Sequence, residues 1–390
     1  MLTAHISLKQ ARDRIAALVH LNAFISLSSE TGSGQVVAVK DLIDVKGMIT
    51  TAGGRLLPAV RAADDAPVIA RLRSYGCVMV GKTNLHEFAY GSTSDNPHYG
   101  PVRNPHDDRR MAGGSSGGSA VAVATGMCDW SIGTDTAGSL RIPASLCGIA
   151  SMKPSHGLVS TEGVFPLSQT LDVVGPMAAD VATLGQALAM MSGYDELALA
   201  RPATKGLRIG IAPAGWVEGL DGETESAWRE VSAGLPEVPL PDRGIMSDVC
   251  TTISMYEASA NHLGWIRTQP ERYGDADVRA RLIRGLSITE VEHQAALAAR
   301  PALLTEMTKA MEGFDAVLAP ATAIVAPLID GSDVREPMTR FTRPFSATGQ
   351  PVVTLPAKVR GLPVGIQVVG RPGEDMRLLQ VAMALEVQWR

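Results

Sequence analysis

Short apolar, β-branched runs alternate along the chain with longer stretches in which apolar positions recur at helical spacing. Residues 35–45 (QVVAVKDLIDV), 76–83, 207–212, 315–322, 351–357 and 363–370 read as buried strands. Residues 67–75, 116–127, 180–193 and 375–389 read as helices. Alternation of this kind predicts an α/β fold with a central sheet covered by helices. Residues 196–206 are the one weak candidate for a boundary and fit a helix-to-strand loop equally well. Residues 213–300 are polar, punctuated by Gly and Pro and then helical, and they carry no chemical motif. No internal repeat or low-complexity linker is present.

Composition narrows the function classes. The chain has 390 residues, 45% hydrophobic and 19% charged, with a formal net charge of −5. With no basic excess and no Lys/Arg-rich run, nucleic acid is not expected as a direct partner. Apolar stretches are broken by charge before they reach bilayer-spanning length, and the first 24 residues alternate apolar and charged positions without a signal-type core. The four cysteines, Cys77, Cys128, Cys147 and Cys250, are far apart and form no C-x-x-C pair. They read as free thiols in a reducing compartment, which predicts a cytoplasmic setting.

Three pieces carry candidate chemistry, and singly each has an ordinary reading. Lys40 closes a strand-like run and is followed by Asp41; alone it reads as a lysine at a strand end. AGGSSGGSA (112–120) sets adjacent serines between paired glycines and leads into a small-residue helix. Alone it reads as a flexible turn or an anion-binding helix start, and no G-K-[ST] follows to make it a P-loop. GTDTAGSLRIPAS (133–145) places Ser139 in a turn of small residues, where a hydroxyl is exposed beside free backbone N–H groups. A serine needs a base to become a nucleophile, yet no histidine lies within fifteen residues of Ser139.

Taken together, Lys40, the run Gly113–Ser119 and the stretch Gly133–Gly148 closely resemble the amidase signature family. Supporting stretches are GKTNLHEFAYG (81–91), HYGPVRNP (98–105), KPSHGLVS (153–160), DAVLAPAT (315–322), FSATGQPVVTLPA (345–357) and LPVGIQVVG (362–370). The resemblance runs from about residue 35 to the C-terminus, with a gap at roughly 213–300. It implies a single α/β domain spanning 1–390, with a mixed central sheet sandwiched between helical layers. The motif-bearing core would be about 35–195 and 315–390, with pocket walls expected from 160–175 and from a variable region at about 213–300. It also implies a Ser-cisSer-Lys triad. The resemblance implies Ser139 as nucleophile, Lys40 as base and a bridging serine after a cis peptide bond as relay; the separations of 75 and 24 residues place Ser115 rather than Ser116 in that bridging position. A lysine with a pKa of ~10.4 is almost wholly charged at neutral pH, so burial must disfavour its ammonium form. The backbone N–H groups of Thr136, Ala137, Gly138 and Ser139 are the expected oxyanion donors. Ala137 stands where the family most often has glycine. Ser116, Asp135 and Arg141 match positions that brace the turn by hydrogen bonds.

The reaction implied is hydrolysis of a carboxylic amide through an acyl-enzyme, releasing ammonia or an amine, with no cofactor and no metal. A small-molecule amide is the expected partner, and neither its identity nor the oligomeric state is encoded in any pattern. A Ser-His-Asp hydrolase is the nearest rival, since GGSSG fits G-x-S-x-G with Ser115 at the elbow. That motif needs a hydrophobic strand just before it, none can be read in NPHDDRRMA, and His86, His98, His106 and His156 lie in polar, loop-like contexts. No His/Asp cluster has metal-ligand spacing. A complex-bound subunit is the rival from another class; the family includes the glutamine-hydrolysing subunit of the tRNA-dependent amidotransferase, a role for which this chain is short.

Overall fold

The period-two pattern of the second strand sets the layering. In VVAVK (36–40), Val37 and Val39 enter one hydrophobic cluster while Val36 and Ala38 enter another, so the two sides of this strand face two separate cores. A strand apolar on both sides must be covered on both, which places it centrally in a sheet between helical layers.

The computed structural model describes residues 5–203 and 206–389. Ten strands form one mixed sheet. They are β1 (Phe24–Leu27), β2 (Val36–Lys40), β3 (Val78–Thr83), β6 (Trp130–Asp135), β7 (Ala150–Lys153), β8 (Val173–Ala178), β9 (Ile209–Ile211), β10 (Ala316–Pro320), β11 (Val352–Pro356) and β12 (Gly365–Val369). β4 (Arg103–Asn104) and β5 (Asp107–Met111) pair separately as a small ribbon. The sheet order is β1-β3-β2-β6-β8-β7-β11-β12-β10-β9. β2 runs parallel to both β3 and β6, and β9 parallel to β10, while the remaining neighbours are antiparallel.

Helices Val181–Ser192 and Asp375–Trp389 bury Leu184, Leu188, Leu378 and Leu385 on the side of Val37, Val39, Trp130 and Ile132. Helix Gly117–Ala124 covers the opposite side, against Val36, Ala38, Val78 and Val80. Its small side chains allow close approach: a Cβ on Gly118 would stand 2.3 Å from the Ala23 carbonyl oxygen. The motif-free region folds as helices Gly222–Ser232, Arg243–Thr268, Ala276–Gly285 and Glu290–Ala310. Among the side chains that tie it to the rest, Glu257 accepts from Ser168 Oγ at 2.5 Å, and Glu87 accepts from the Asp275 amide at 2.9 Å.

All six expected strands and all four expected helices form, with trimmed ends. The 35–45 run stops as a strand at Lys40 because the Leu42 and Ile43 amides turn back to the Lys40 carbonyl. Two expectations need correction. A strand, β5, does precede the Gly/Ser loop, although it lies in the small ribbon and not in the central sheet. Strands β6, β7 and β8 also escaped the pattern. The candidate boundary at 196–206 contains a 3-10 turn, Asp195–Leu199, and then extended chain; positions 204 and 205 lie outside the described residues. Among the described residues no helix is long and apolar enough to cross a membrane.

Candidate active site

Lys40 is the last residue of β2, and Thr134 and Asp135 end the adjacent parallel strand β6. The carboxyl ends of neighbouring parallel strands therefore open on one crevice, where α/β sheets commonly place their chemistry. Alternation puts Lys40 on the side of Val36 and Ala38, the side covered by helix Gly117–Ala124. The loop entering that helix brings Ser115 to it.

Lys40 Nζ lies 2.7 Å from Ser115 Oγ and donates to Thr134 Oγ1 at 2.8 Å. Lys40 and Ser115 are both fully buried, and the Gly114–Ser115 peptide bond is cis. Burial lowers the Lys40 pKa from 10.5 to about 7, against the opposing pull of Asp135 and Asp172. The neighbouring Lys82 is equally buried but sits 2.8 Å from the Asp41 carboxylate. Lys40 touches hydroxyls and no carboxylate, which places it to act as a neutral amine beside Ser115.

The turn after β6 is held from beneath by Asp135. Its carboxylate accepts from the Gly138 amide at 2.7 Å, the Leu140 amide at 3.1 Å, and Arg141 Nε and Nη2 at 2.9 and 2.8 Å. Burial pushes this carboxyl up, but the Arg141 guanidinium and these donors hold it below the ordinary range. Arg141 directs its remaining donors to the Thr342 carbonyl, Gln367 Oε1 and Ser346 Oγ, so the buried guanidinium is fully satisfied. Ser116 pins the two loops together. Its Oγ donates to the Thr134 carbonyl at 3.2 Å, and its amide donates to the Ser139 carbonyl at 3.2 Å. Gly138 has φ +136°, and a Cβ there would stand 2.4 Å from Thr342 Oγ1.

Ser139 is 8% exposed and opens onto a cavity of about 170 Å³. Its hydroxyl makes no hydrogen bond among the described residues, so the Ser115-to-Ser139 leg stands open, as often happens in a site without substrate. The backbone N–H groups of Thr136, Ala137 and Ser139 have no acceptor among the described residues. The Gly138 N–H does: it donates to Asp135, which leaves three of the four expected donors unpaired. Ala137 is not among the residues with positive φ, so its methyl group is accommodated where it lines the cavity.

No histidine lines this cavity. His86 is 3.0 Å from Asp275, His98 is 2.6 Å from Glu87, and His106 Nε2 is 3.0 Å from the Cys147 carbonyl oxygen. Among the described residues no group of His, Cys, Asp or Glu side chains is arranged to hold a metal ion.

Comparison with known proteins gives the frame for this geometry. The family model described as Amidase matches residues 8–379. The chain belongs to the amidase family. It is 36% identical to AtzE, part of the 1-carboxybiuret hydrolase of Pseudomonas sp. (strain ADP), over 91% of this chain and 84% of that protein. It is 32% identical to a chain of the glutamyl-tRNA(Gln) amidotransferase of Methanococcoides burtonii, over 91% of this chain and 84% of that protein. A solved amidase structure superposes with a TM-score of 0.89 at 36% identity, covering 98% of this chain and 95% of that one. The match reaches further toward the N-terminus than the motifs that first suggested the family.

Within this amidase, three contributors escaped the sequence reading. Thr134 takes one Lys40 donor. Asp172, just before β8, accepts from Thr136 Oγ1 at 2.5 Å and from the Leu167 and Ser168 amides; burial raises it to about 6. The third is a group of arginines on the cavity wall, drawn partly from the expected pocket region 213–300 and partly from 335–343.

Proposed function

We propose that this chain hydrolyses carboxylic amides with Ser139 as nucleophile, Ser115 as relay and Lys40 as base. The observation that carries the reading is the buried Lys40 amine 2.7 Å from Ser115 Oγ, with Gly114, the residue before Ser115, lining the same cavity as Ser139. Neutral Lys40 has one lone pair. With one of its N–H groups on Thr134, that pair is free to accept the Ser115 proton as Ser115 takes the Ser139 proton. The Ser139 oxygen then adds to the amide carbonyl carbon. Oxyanion charge develops beside the free N–H groups of Thr136, Ala137 and Ser139.

Return of the proton from Lys40 through Ser115 to the amide nitrogen breaks the C–N bond and releases ammonia or an amine. A water molecule, deprotonated by the same route, cleaves the acyl-enzyme and restores the Ser139 hydroxyl. Asp135, Arg141 and Ser116 hold the turn in the shape this requires and do not touch the reacting atoms. The whole chain acts as one unit, with the catalytic machinery in 35–195 and 315–390 and substrate contacts from 213–300. Four buried free cysteines fit a cytoplasmic setting.

A fluorophosphonate reagent tests the assignment. Its mass is expected on the peptide containing Ser139, and Ser139→Ala is expected to abolish both labelling and ammonia release. Labelling at Ser115 with Ser139 untouched would replace this reading with the elbow-serine alternative. Both relatives named above are components of larger enzymes by their descriptions, which raises dependence on a partner protein; turnover of simple amides by the isolated chain decides it.

A further inference from the structure

The cavity next to Ser139 has a charge bias that amide hydrolysis alone does not need. Arg281, Arg284, Arg335 and Arg343 line it, and no acidic residue does. Arg281 and Arg335 both engage Asp277, and Arg281 also stacks 3.9 Å over the Tyr90 ring. Asp275, the other carboxylate close by, is taken by His86. Glu336 is paired with Arg340 at 2.5 Å.

Arg343 is left over. It is half-buried and makes no hydrogen bond, ion pair or ring contact among the described residues. A guanidinium keeps its proton in proteins, so a half-buried one with no carboxylate bonded to it carries a charge that is costly until an anion arrives. Burial, helped by the neighbouring Arg281, presses its pKa downward against the pull of Cys250, Glu336 and Tyr90.

We propose that the substrate is a small amide carrying a carboxylate, and that Arg343 is the residue that selects it. This rests on the amidase reading above. The two substrate ends have separate receivers. The amide carbonyl meets Ser139 and the free turn amides, and the carboxylate meets Arg343 in a two-point, charge-assisted hydrogen bond. A neutral amide would leave the Arg343 charge desolvated and unpaired, so the site rejects what it does not bind. Arg281 and Arg335 add long-range attraction but share a carboxylate already, and Arg284 stands at the exposed edge.

The test compares malonamate, succinamate and glutaramate with propanamide, butanamide and pentanamide, which match them in length and lack the charge. In the best pair the wild-type kcat/KM is expected to favour the anionic member by about tenfold or more, the worth of one charge-assisted hydrogen bond. Arg343→Gln is expected to collapse that ratio toward one through a raised KM, and Arg343→Lys to keep part of it. A ratio near one in the wild type, or an unchanged ratio in Arg343→Gln, overturns the proposal. Calorimetric binding to the Ser139→Ala protein separates this outcome from failure of the amidase reading. Binding of the anionic amides that Arg343→Gln abolishes supports the selection even if no amide is turned over, and absence of any such preference removes it.

Discussion

If Lys40 acts as a neutral base, its protonation should be visible in the rate. Moving an amine from 10.5 to about 7 corresponds to about 5 kcal/mol in favour of the neutral form. At about pH 7 roughly half of such lysines are neutral, against roughly one in three thousand for a solvated one. The log of kcat/KM should therefore rise with unit slope below about pH 7 and level off above it, with a loss of roughly a hundredfold two pH units below the midpoint.

Initial rates of ammonia release at low substrate, across a constant-ionic-strength buffer series, measure the limb. Asp172 gives it a sign test. Its anion raises the Lys40 pKa, so Asp172→Asn should move the limb to lower pH while Thr136 keeps a hydrogen-bonding partner. The two groups, at about 6 and about 7, titrate as a coupled pair in the wild type, and the variant should reduce them to one simple step. Lys40→Ala should remove the limb together with most activity, and alanine at His86, His98, His106 or His156 should leave its position alone. A limb near about 10, a shift toward higher pH in Asp172→Asn, or a limb that survives Lys40→Ala would refute the reasoning.

Other variants probe the surrounding framework. Ser115→Ala should cut turnover severely while Ser139 still reacts slowly with a strong phosphonylating reagent; the relay is wrongly assigned if Ser116→Ala, equally well folded, is much worse. Arg141→Leu strands the buried Asp135 carboxylate and should cost about 3–5 kcal/mol in urea unfolding, an argument that an unchanged midpoint would defeat. Gly138→Ala combines a left-handed backbone with a clash on Thr342 Oγ1, so activity should fall with it; wild-type kcat/KM in that variant would show that the turn tolerates displacement.

The layers of this fold were legible wherever a strand is apolar on both sides. VVAVK, VMVGKT and GIQVV announce themselves because each is buried against two helical layers. Strand β8 did not, since Gly175 and Pro176 interrupt it and proline is rare inside a central strand. Strand β6, WSIGTD, was hidden by Ser131 and Gly133, small because helix Gly117–Ala124 lies against them: Ser131 Oγ donates to the Ser119 carbonyl, and a Cβ on Gly133 would meet Ser116 Oγ at 2.8 Å. The proposed triad positions came from the resemblance of three motifs taken together, and the Asp135–Arg141 pair that it implied is present as a buried ion pair. The fate of the Gly138 amide was not readable, because one carboxylate oxygen chooses among several nearby donors only once the turn is built. Arg343 was unreadable for a related reason. An arginine is common anywhere on a surface, and what distinguishes this one is the lack of a partner in a half-buried place.

The division of labour between strand ends and helices follows from how tightly each is constrained. Lys40, Thr134 and Asp135 terminate adjacent sheet strands, so their separations are set by sheet geometry and cannot drift without unpairing β2 from β6. The four arginines of the wall stand instead on helices Ala276–Gly285, Arg335–Thr339 and Arg343–Ala347, which no sheet register fixes. They are seated by apolar side chains, Val278 and Leu282 in one cluster, Met338 in another and Phe345 and Ala347 in a third, while their arginines line the cavity. Helices held this way can exchange side chains over the cavity without disturbing the amine–hydroxyl contact beneath it. The chemistry of amide cleavage is therefore expected to be the stable property of this chain, and the charge of the accepted substrate the adjustable one. Changing Arg343 should accordingly alter which amides are bound while the Lys40-dependent pH limb stays where it is.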